Sequence, residues 1–217
     1  VFCGSLCDVF ENKTDQYTEM SSWRTDLWEL IHRTSYLNWL LLTKRPEFIS
    51  HMVPDYWMTR YWPENVWIGT SVENQEQADK RIPELLKIPA AVRFLSIEPL
   101  LQPVDLTGWD NDGQPWLSSI HWVIVGGESG KDARPMHPDW VRSLRDQCQE
   151  AGVPFLFKQW GEWTPKYPLD TPQARRGLTW TAPWDDGVSL WRVGKKYAGR
   201  LLDGREWNEL PQVGVPA

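Results

Sequence analysis

Cysteine is scarce in this 217-residue chain: Cys3, Cys7 and Cys148 are all it has. Three cysteines at these spacings make neither a disulfide framework nor a metal-ligand loop, and they point to a reducing compartment. Histidine is thin too. His32, His51, His121 and His137 are scattered, with no HExxH or triad-like context. A complete metal site within the chain is therefore not expected. No apolar run approaches the length of a membrane span and no signal peptide is visible. The expected setting is cytoplasmic, without membrane contact. Positive charge is in deficit: a formal net charge of −6 argues against a surface built for general nucleic-acid binding, although it leaves room for a local basic groove.

What is present suits one globular domain, with 41% apolar and 24% charged residues. Tryptophan is abundant at 16 residues, most of them expected in the core or between helices, because an aromatic buries a large area and tolerates a partly wet position. The chain opens on "VFCGSLCDVF", which reads as a buried strand. Termini are usually frayed, so a core strand at residue 1 reads as the continuation of an upstream piece, and the chain as a fragment.

One unit recurs. "VFCGSL", "LNWLLLTKRP", "NVWIGTSVEN", "VRFLSIEPL", "HWVIVGGESG" and "VPFLFKQWG" are short β-rich runs that end in polar or glycine residues, spaced as βαβ units are. Helical periodicity fills the gaps. Trp23, Leu27, Leu30 and Ile31 repeat at helical spacing after the first run. Ala78, Ile82, Leu85 and Leu86 do so after the third, with Asn74 as N-cap, Gln77 completing a capping box, and Pro83 expected to kink or restart the helix. Pro138 opens a helix whose apolar face is Trp140, Val141, Leu144 and Cys148, and Gly152 closes it. Strand–helix alternation predicts an α/β fold: a partial (β/α) TIM-like barrel of parallel strands over 1–160, lacking its first unit, with a doubly wound sheet as the alternative. Residues 102–119 form a Gly/Asp/Pro-rich insertion. Residues 161–217 read as an irregular, Trp-rich appendage packed on the barrel, with a hairpin signal at Asp203-Gly204.

Aligning the apolar cores brings the polar strand ends to one pole, the carboxyl-terminal pole where barrels carry chemistry. Those ends supply Ser5 and Asp8; Thr43, Lys44 and Arg45; Ser71, Glu73 and Asn74; Ser96 and Glu98; Gly126, Gly127, Glu128 and Ser129; and Lys158 and Gln159. Glu73, Glu98 and Glu128 are expected to face one cavity, as oxygen ligands for a divalent cation or as acid and base. Lys44, Arg45, Arg134, Lys158 and Gln159 are candidates to bind an anionic substrate. The bland alternative pairs these charges in a structural ring. Gly126 and Gly127 should mark a tight exit, through positive φ or a close backbone approach, with Glu128 within reach of Arg134 or Lys158. No catalytic residue is assigned.

Taken together, "VFCGSLCDVF", "LLLTKRPE", "NVWIGTSVENQEQADKRIPELL", "VRFLSIEPLL", "WVIVGGESGKDARPMHPDWVRSLRDQCQEAGVPFLFKQWG" and "AGRLLDGREWNELP" closely resemble the phage gp-thirty-seven/gp-sixty-eight family, itself largely a domain of unknown function. The resemblance covers nearly the whole chain. It implies a distant relative of radical S-adenosylmethionine (SAM) enzymes with a partial barrel, whose upstream segment carries three cysteines for a four-iron four-sulfur cluster. That segment lies outside this chain, so the cofactors implied for the full-length protein are SAM and the cluster, with no cluster on these 217 residues and no activity from them alone. By position, the Ser5–Asp8 tip corresponds to the place that holds the methionine end of SAM, and Ser71, Glu73 and Asn74 to a ribose-contacting place. Glu98, Gly126, Gly127 and Glu128 complete the candidate cofactor pole. Three readings follow: the carboxyl-terminal part of a phage or prophage radical-SAM-like protein of unknown substrate, a divalent-metal barrel enzyme, and a non-catalytic module binding nucleic acid or a phage partner.

Overall fold

The computed structural model describes residues 1–3, 7–12, 17–165, 179–181, 184 and 186–212. Six parallel strands lie side by side in chain order and curl into a half-barrel. They are β1 (Phe2–Cys3), β2 (Trp39–Thr43), β3 (Val66–Ser71), β4 (Arg93–Ile97), β5 (Trp122–Gly126) and β6 (Phe155–Gln159). Each pair runs parallel, and the convex side is covered by helices, as right-handed crossovers require.

The longest helices are α1 (Tyr17–Arg33), α4 (Gln75–Leu86) and α6 (Pro138–Ala151). Short turns of helix, α2 (Ile49–Met52) and α3 (Asp55–Thr59), precede β3, and α5 (Trp116–Ser119) precedes β5. Asn74 caps α4 by accepting a hydrogen bond from the Gln77 amide, and the helix runs through Pro83 as one element. It is neither broken nor restarted there. Pro138 stands in the first turn of α6, and Gly152 ends it with a left-handed φ of 69°. Cys148 is fully buried on the inner face of that helix, as its spacing predicts.

The predicted face of α1 needs correction. Ile31 is buried and Leu27 partly so, as predicted, but Trp23 is 61% and Leu30 45% exposed, and Trp28 and Arg24 take their place on the buried line. Tertiary contact decides between them: Trp28 stacks on Phe10 and meets Trp57 edge-on, its ring centroid 5.1 Å away. Arg24 is drawn inward by the carbonyls of Val9 and Glu11.

Strand alternation sorts the sheet into two faces. Leu41, Ile68, Leu95, Val123 and Phe155 face the helices in the main core. Trp67, Phe94, Trp122 and Ile124 face the concave side, with Leu40, Leu42 and Leu156 beside them. Leu42, Gly69, Phe94 and Trp122 are neighbours in register and form one concave row. Gly69 leaves room for Phe94, whose ring would lie 2.4 Å from any Cβ there. The next row toward the carboxyl ends is Ser71, Ser96, Ile124 and Leu156.

After β6 come β7 (Trp163–Thr164), β8 (Thr179–Thr181) and β9 (Ser189–Arg192), an antiparallel sheet in the order β7-β9-β8, then α7 (Lys195–Ala198). The turn expected at Asp203-Gly204 is present: Leu202 and Arg205 bond to each other, and both turn residues have positive φ, 51° and 86°. Asp203 also accepts from Arg142 and Arg145 of α6, fastening the tail to the barrel and lying below its ordinary carboxylate range, first through the Arg142 bond. Beyond the turn the chain lies along β6, where the Phe157 amide donates to the Trp207 carbonyl and the Glu209 amide to that of Phe155. Among the described residues no helix is long and apolar enough to cross a membrane.

Candidate functional site

The carboxyl ends of the strands enclose an open cavity with two lobes. The β1–β4 lobe, about 520 Å³, is bordered by Asp8, Lys44, Arg45 and Ser71. The β5–β6 lobe, about 320 Å³, is bordered by Trp122, Ile124, Leu156 and Arg200. Phe2, Ser96, Glu98 and Lys158 border both, so the lobes adjoin. Other hollows are at least as large, one of about 550 Å³ beside α1 and one of about 710 Å³ at the opposite pole. Helix and loop residues line the first, and the second lies at the amino ends of β4, β5 and β6; the carboxyl ends of the strands converge on the two-lobed cavity.

Of the three strand-end glutamates, Glu98 alone borders that cavity. Its two oxygens are held by Lys158 Nζ at 2.8 Å and Gln159 Nε2 at 3.0 Å. Consecutive strand residues normally point to opposite faces. Here a register shift between Val125 and Gly126 puts one extra residue in β6, and both Lys158 and Gln159 reach the same carboxylate. Gly126 makes room for it, since a Cβ there would sit 3.1 Å from the Glu98 carboxyl.

Glu73 and Glu128 leave the same pole but turn aside. Glu73 lies between Lys44 at 2.5 Å and Arg81 at 2.8 Å. Burial alone would raise its carboxyl, but the Lys44 hydrogen bond and the charges of Arg81 and Lys44 outweigh that and hold it below its ordinary range. Glu128 forms a two-pronged pair with Arg134, at 2.8 Å on each oxygen, and also accepts from the Arg134 amide. That bond depresses the Glu128 carboxyl and raises the Arg134 guanidinium. Asp8 is fully engaged by Thr43, the Lys44 and Phe10 amides, and Arg45. Asn74 spends its side chain on the α4 cap. Ser5 lies outside the described residues.

The charges at this pole are therefore paired into a ring, and among the described residues no group of three His, Cys, Asp or Glu is placed to hold a metal ion. What remains uncommitted is smaller. The Ser71 and Ser96 hydroxyls, register neighbours on residues 5% exposed, face the β1–β4 lobe with no hydrogen-bond partner among the described residues. Gln159 Oε1 is buried and likewise unpartnered. Two hydroxyls short of partners at one cavity are what a ligand would satisfy.

The tight exit expected at the glycine pair is there, through close approach rather than positive φ. A Cβ on Gly127 would lie 2.1 Å from the Trp160 carbonyl oxygen, and one on Gly161 2.1 Å from that of Glu128. Two backbone segments cross in contact, joined by bonds from the Gly127 amide to Gln159 and from the Glu162 amide to Glu128.

These positions fall within a recognised block of sequence: residues 1–211 match the family described as a protein of unknown function, DUF5131. The chain belongs to the DUF5131 family. No curated protein and no solved structure matches it. In this DUF5131 chain, strand-end reasoning finds the pole but misses Phe2, Trp122, Ile124, Leu156 and Arg200. Alternation along β5 and β6 carries a signal for the middle three; nothing local marks Arg200, which the tail delivers.

Replacing Glu128 by Gln tests its role. Arg134 is 60% exposed, so the pair should stabilise the fold by at most about 1 kcal/mol. Because folding depresses the Glu128 carboxyl, that stabilisation is present above its ordinary value of 4.5 and lost as pH falls through the folded value. Melting of the variant should trail the parent at pH 7 and converge with it in acid. A constant gap at all pH values would refute the ion pair.

Proposed function

We propose that the half-barrel is the SAM-holding wall of a phage- or prophage-type radical-SAM-like protein, with the cofactor in the β1–β4 lobe. The observation that carries this reading is the pair of hydroxyls, Ser71 and Ser96, that open on the lobe between the Lys44–Arg45 strand tip and Lys158 with no protein partner among the described residues. A zwitterionic nucleoside derivative suits them. Its carboxylate would meet Lys44 and Arg45, its hydroxyls Ser71 and Ser96, and its ammonium Glu98. When bound and reductively cleaved, SAM supplies a radical that abstracts hydrogen from a substrate. This chain's own residues would orient the ligand and exclude water from the pole.

An iron–sulfur cluster does not fit the three cysteines. Cys3 is half-buried on β1 and Cys7 is exposed. Cys148 is enclosed behind α6, its thiol pushed up to about 12 by burial and, secondarily, by the charge of Glu209. The resemblance supports the radical-SAM reading over the two alternatives. Among the described residues no three of His, Cys, Asp or Glu converge to hold a divalent metal, and a net charge of −6 disfavours a polyanionic partner.

Calorimetric titration of the 217-residue chain with SAM should show one site. Two lost hydrogen bonds at about 1 kcal/mol each predict roughly thirtyfold weaker binding in the double variant Ser71→Ala, Ser96→Ala. Absence of SAM binding, or equal affinity in the double variant, would overturn the assignment.

A further inference from the structure

We infer that the β5–β6 lobe is a second ligand site, for the phosphate and base of a nucleoside monophosphate, and that Arg200 selects it. This rests on reading the pole as a ligand site, with the neighbouring lobe left to SAM. The two lobes differ in chemistry. The β5–β6 lobe has an apolar lining of Trp122, Ile124, Leu156 and Phe2. Behind it the rings run on without a break: Phe2 to Phe94 at 6.3 Å, Phe94 to Trp122 at 6.1 Å, Trp122 to Trp67 at 6.4 Å. Aromatic packing in depth gives a rigid surface, and a planar base gains more from it than a flexible chain does.

The lip is cationic from two directions. Lys158 comes from the bulged end of β6, and Arg200 is brought by the tail after α7. Lys158 uses one of its three donors on Glu98. Arg200 bonds Asn208 and lies 3.7 Å from Glu206, which steadies the guanidinium without saturating its five donors. Two cations at one lip match a single phosphate, and a polymer of phosphates would meet the chain's overall negative charge beyond them. A wholly apolar occupant would strand this lip; a sugar phosphate without a base would leave the aromatic wall wet.

Calorimetric titration with the four common nucleoside monophosphates, their nucleosides, and ribose 5-phosphate reads each element separately. At least one monophosphate should bind about tenfold or more tightly than both its nucleoside and ribose 5-phosphate, the factor one charge-assisted contact confers. In Arg200→Gln, an exposed substitution, that monophosphate should weaken about tenfold while its nucleoside is unchanged. SAM affinity in the same variant should equal the parent's. If no monophosphate exceeds its nucleoside, or if Arg200→Gln leaves the difference intact, the second site is wrong. If SAM and the monophosphate displace each other one for one, the two-lobe assignment is wrong. Failure of SAM to bind while the Arg200-dependent difference persists would fault the SAM reading alone.

Discussion

Replacing Gly127 by alanine should destabilise the protein by about 3 kcal/mol, near the upper end for forcing atoms into a filled space. For a chain of this size that is a fall in melting temperature of roughly 6–12 °C. The reason is that the added carbon would meet backbone, the Trp160 carbonyl at 2.1 Å, and no side chain can swing aside. The crossing segment is itself constrained, because Gly161 has a φ of 81° and meets Glu128 in return. Gly113 gives the comparison: its φ is 73° but nothing lies within 4 Å of its would-be Cβ, so alanine there should cost only about 1 kcal/mol of backbone strain. Thermal melting of the two variants decides. A Gly127 variant no worse than the Gly113 one would show that the two segments do not cross in contact.

Trp57→Ala should lose about 3–5 kcal/mol, the range for emptying a large buried aromatic site. Trp57 is 2% exposed, with Trp28 and Trp62 edge-on at 5.1 and 5.3 Å. Those contacts join α1 to the turns before β3. Among the described residues its buried indole nitrogen has no partner, so the N–H contributes a desolvation cost and no bond in return. Trp57→Phe keeps most of the ring and removes that group, and should cost less than half as much as alanine by denaturant titration. Equal losses in the two variants would mean that the indole N–H is bonded after all.

The sheet was legible because parallel strands buried on both faces leave continuous apolar runs, and "WVIVG" or "VWIGTS" can scarcely do anything else. Helix ends were legible where one residue type does one job, as at Asn74 and Gly152. The face of α1 was not, because Trp23, Leu27, Trp28, Leu30 and Ile31 spread around much of the helix and satisfy more than one face. Only Phe10 and Trp57, brought from elsewhere, choose between them. The pole of the site followed from strand direction, whereas the partner of each acid did not. Glu73 could be placed beside Lys44 by their strand ends, but Arg81 enters from α4, and Arg200 arrives through a tail whose path no local pattern encodes.

The extra residue in β6 has a consequence for how this sequence can change over generations. Everything after the shift is already aligned as though Lys158 had been inserted, because Val125 faces Phe157 and Gly126 faces Gln159. Loss of the Lys158 codon would restore an unbroken ladder, and Gln159 would take over the inward position. Trp160 and Gly161 would keep their place against Gly127, so the crossing would survive. Loss of the Gln159 codon would leave the same backbone, with Lys158 facing Gly126 in its place. Lineages can therefore switch the lysine at this lip on or off by a single in-frame event, leaving the framework that presents it unaltered.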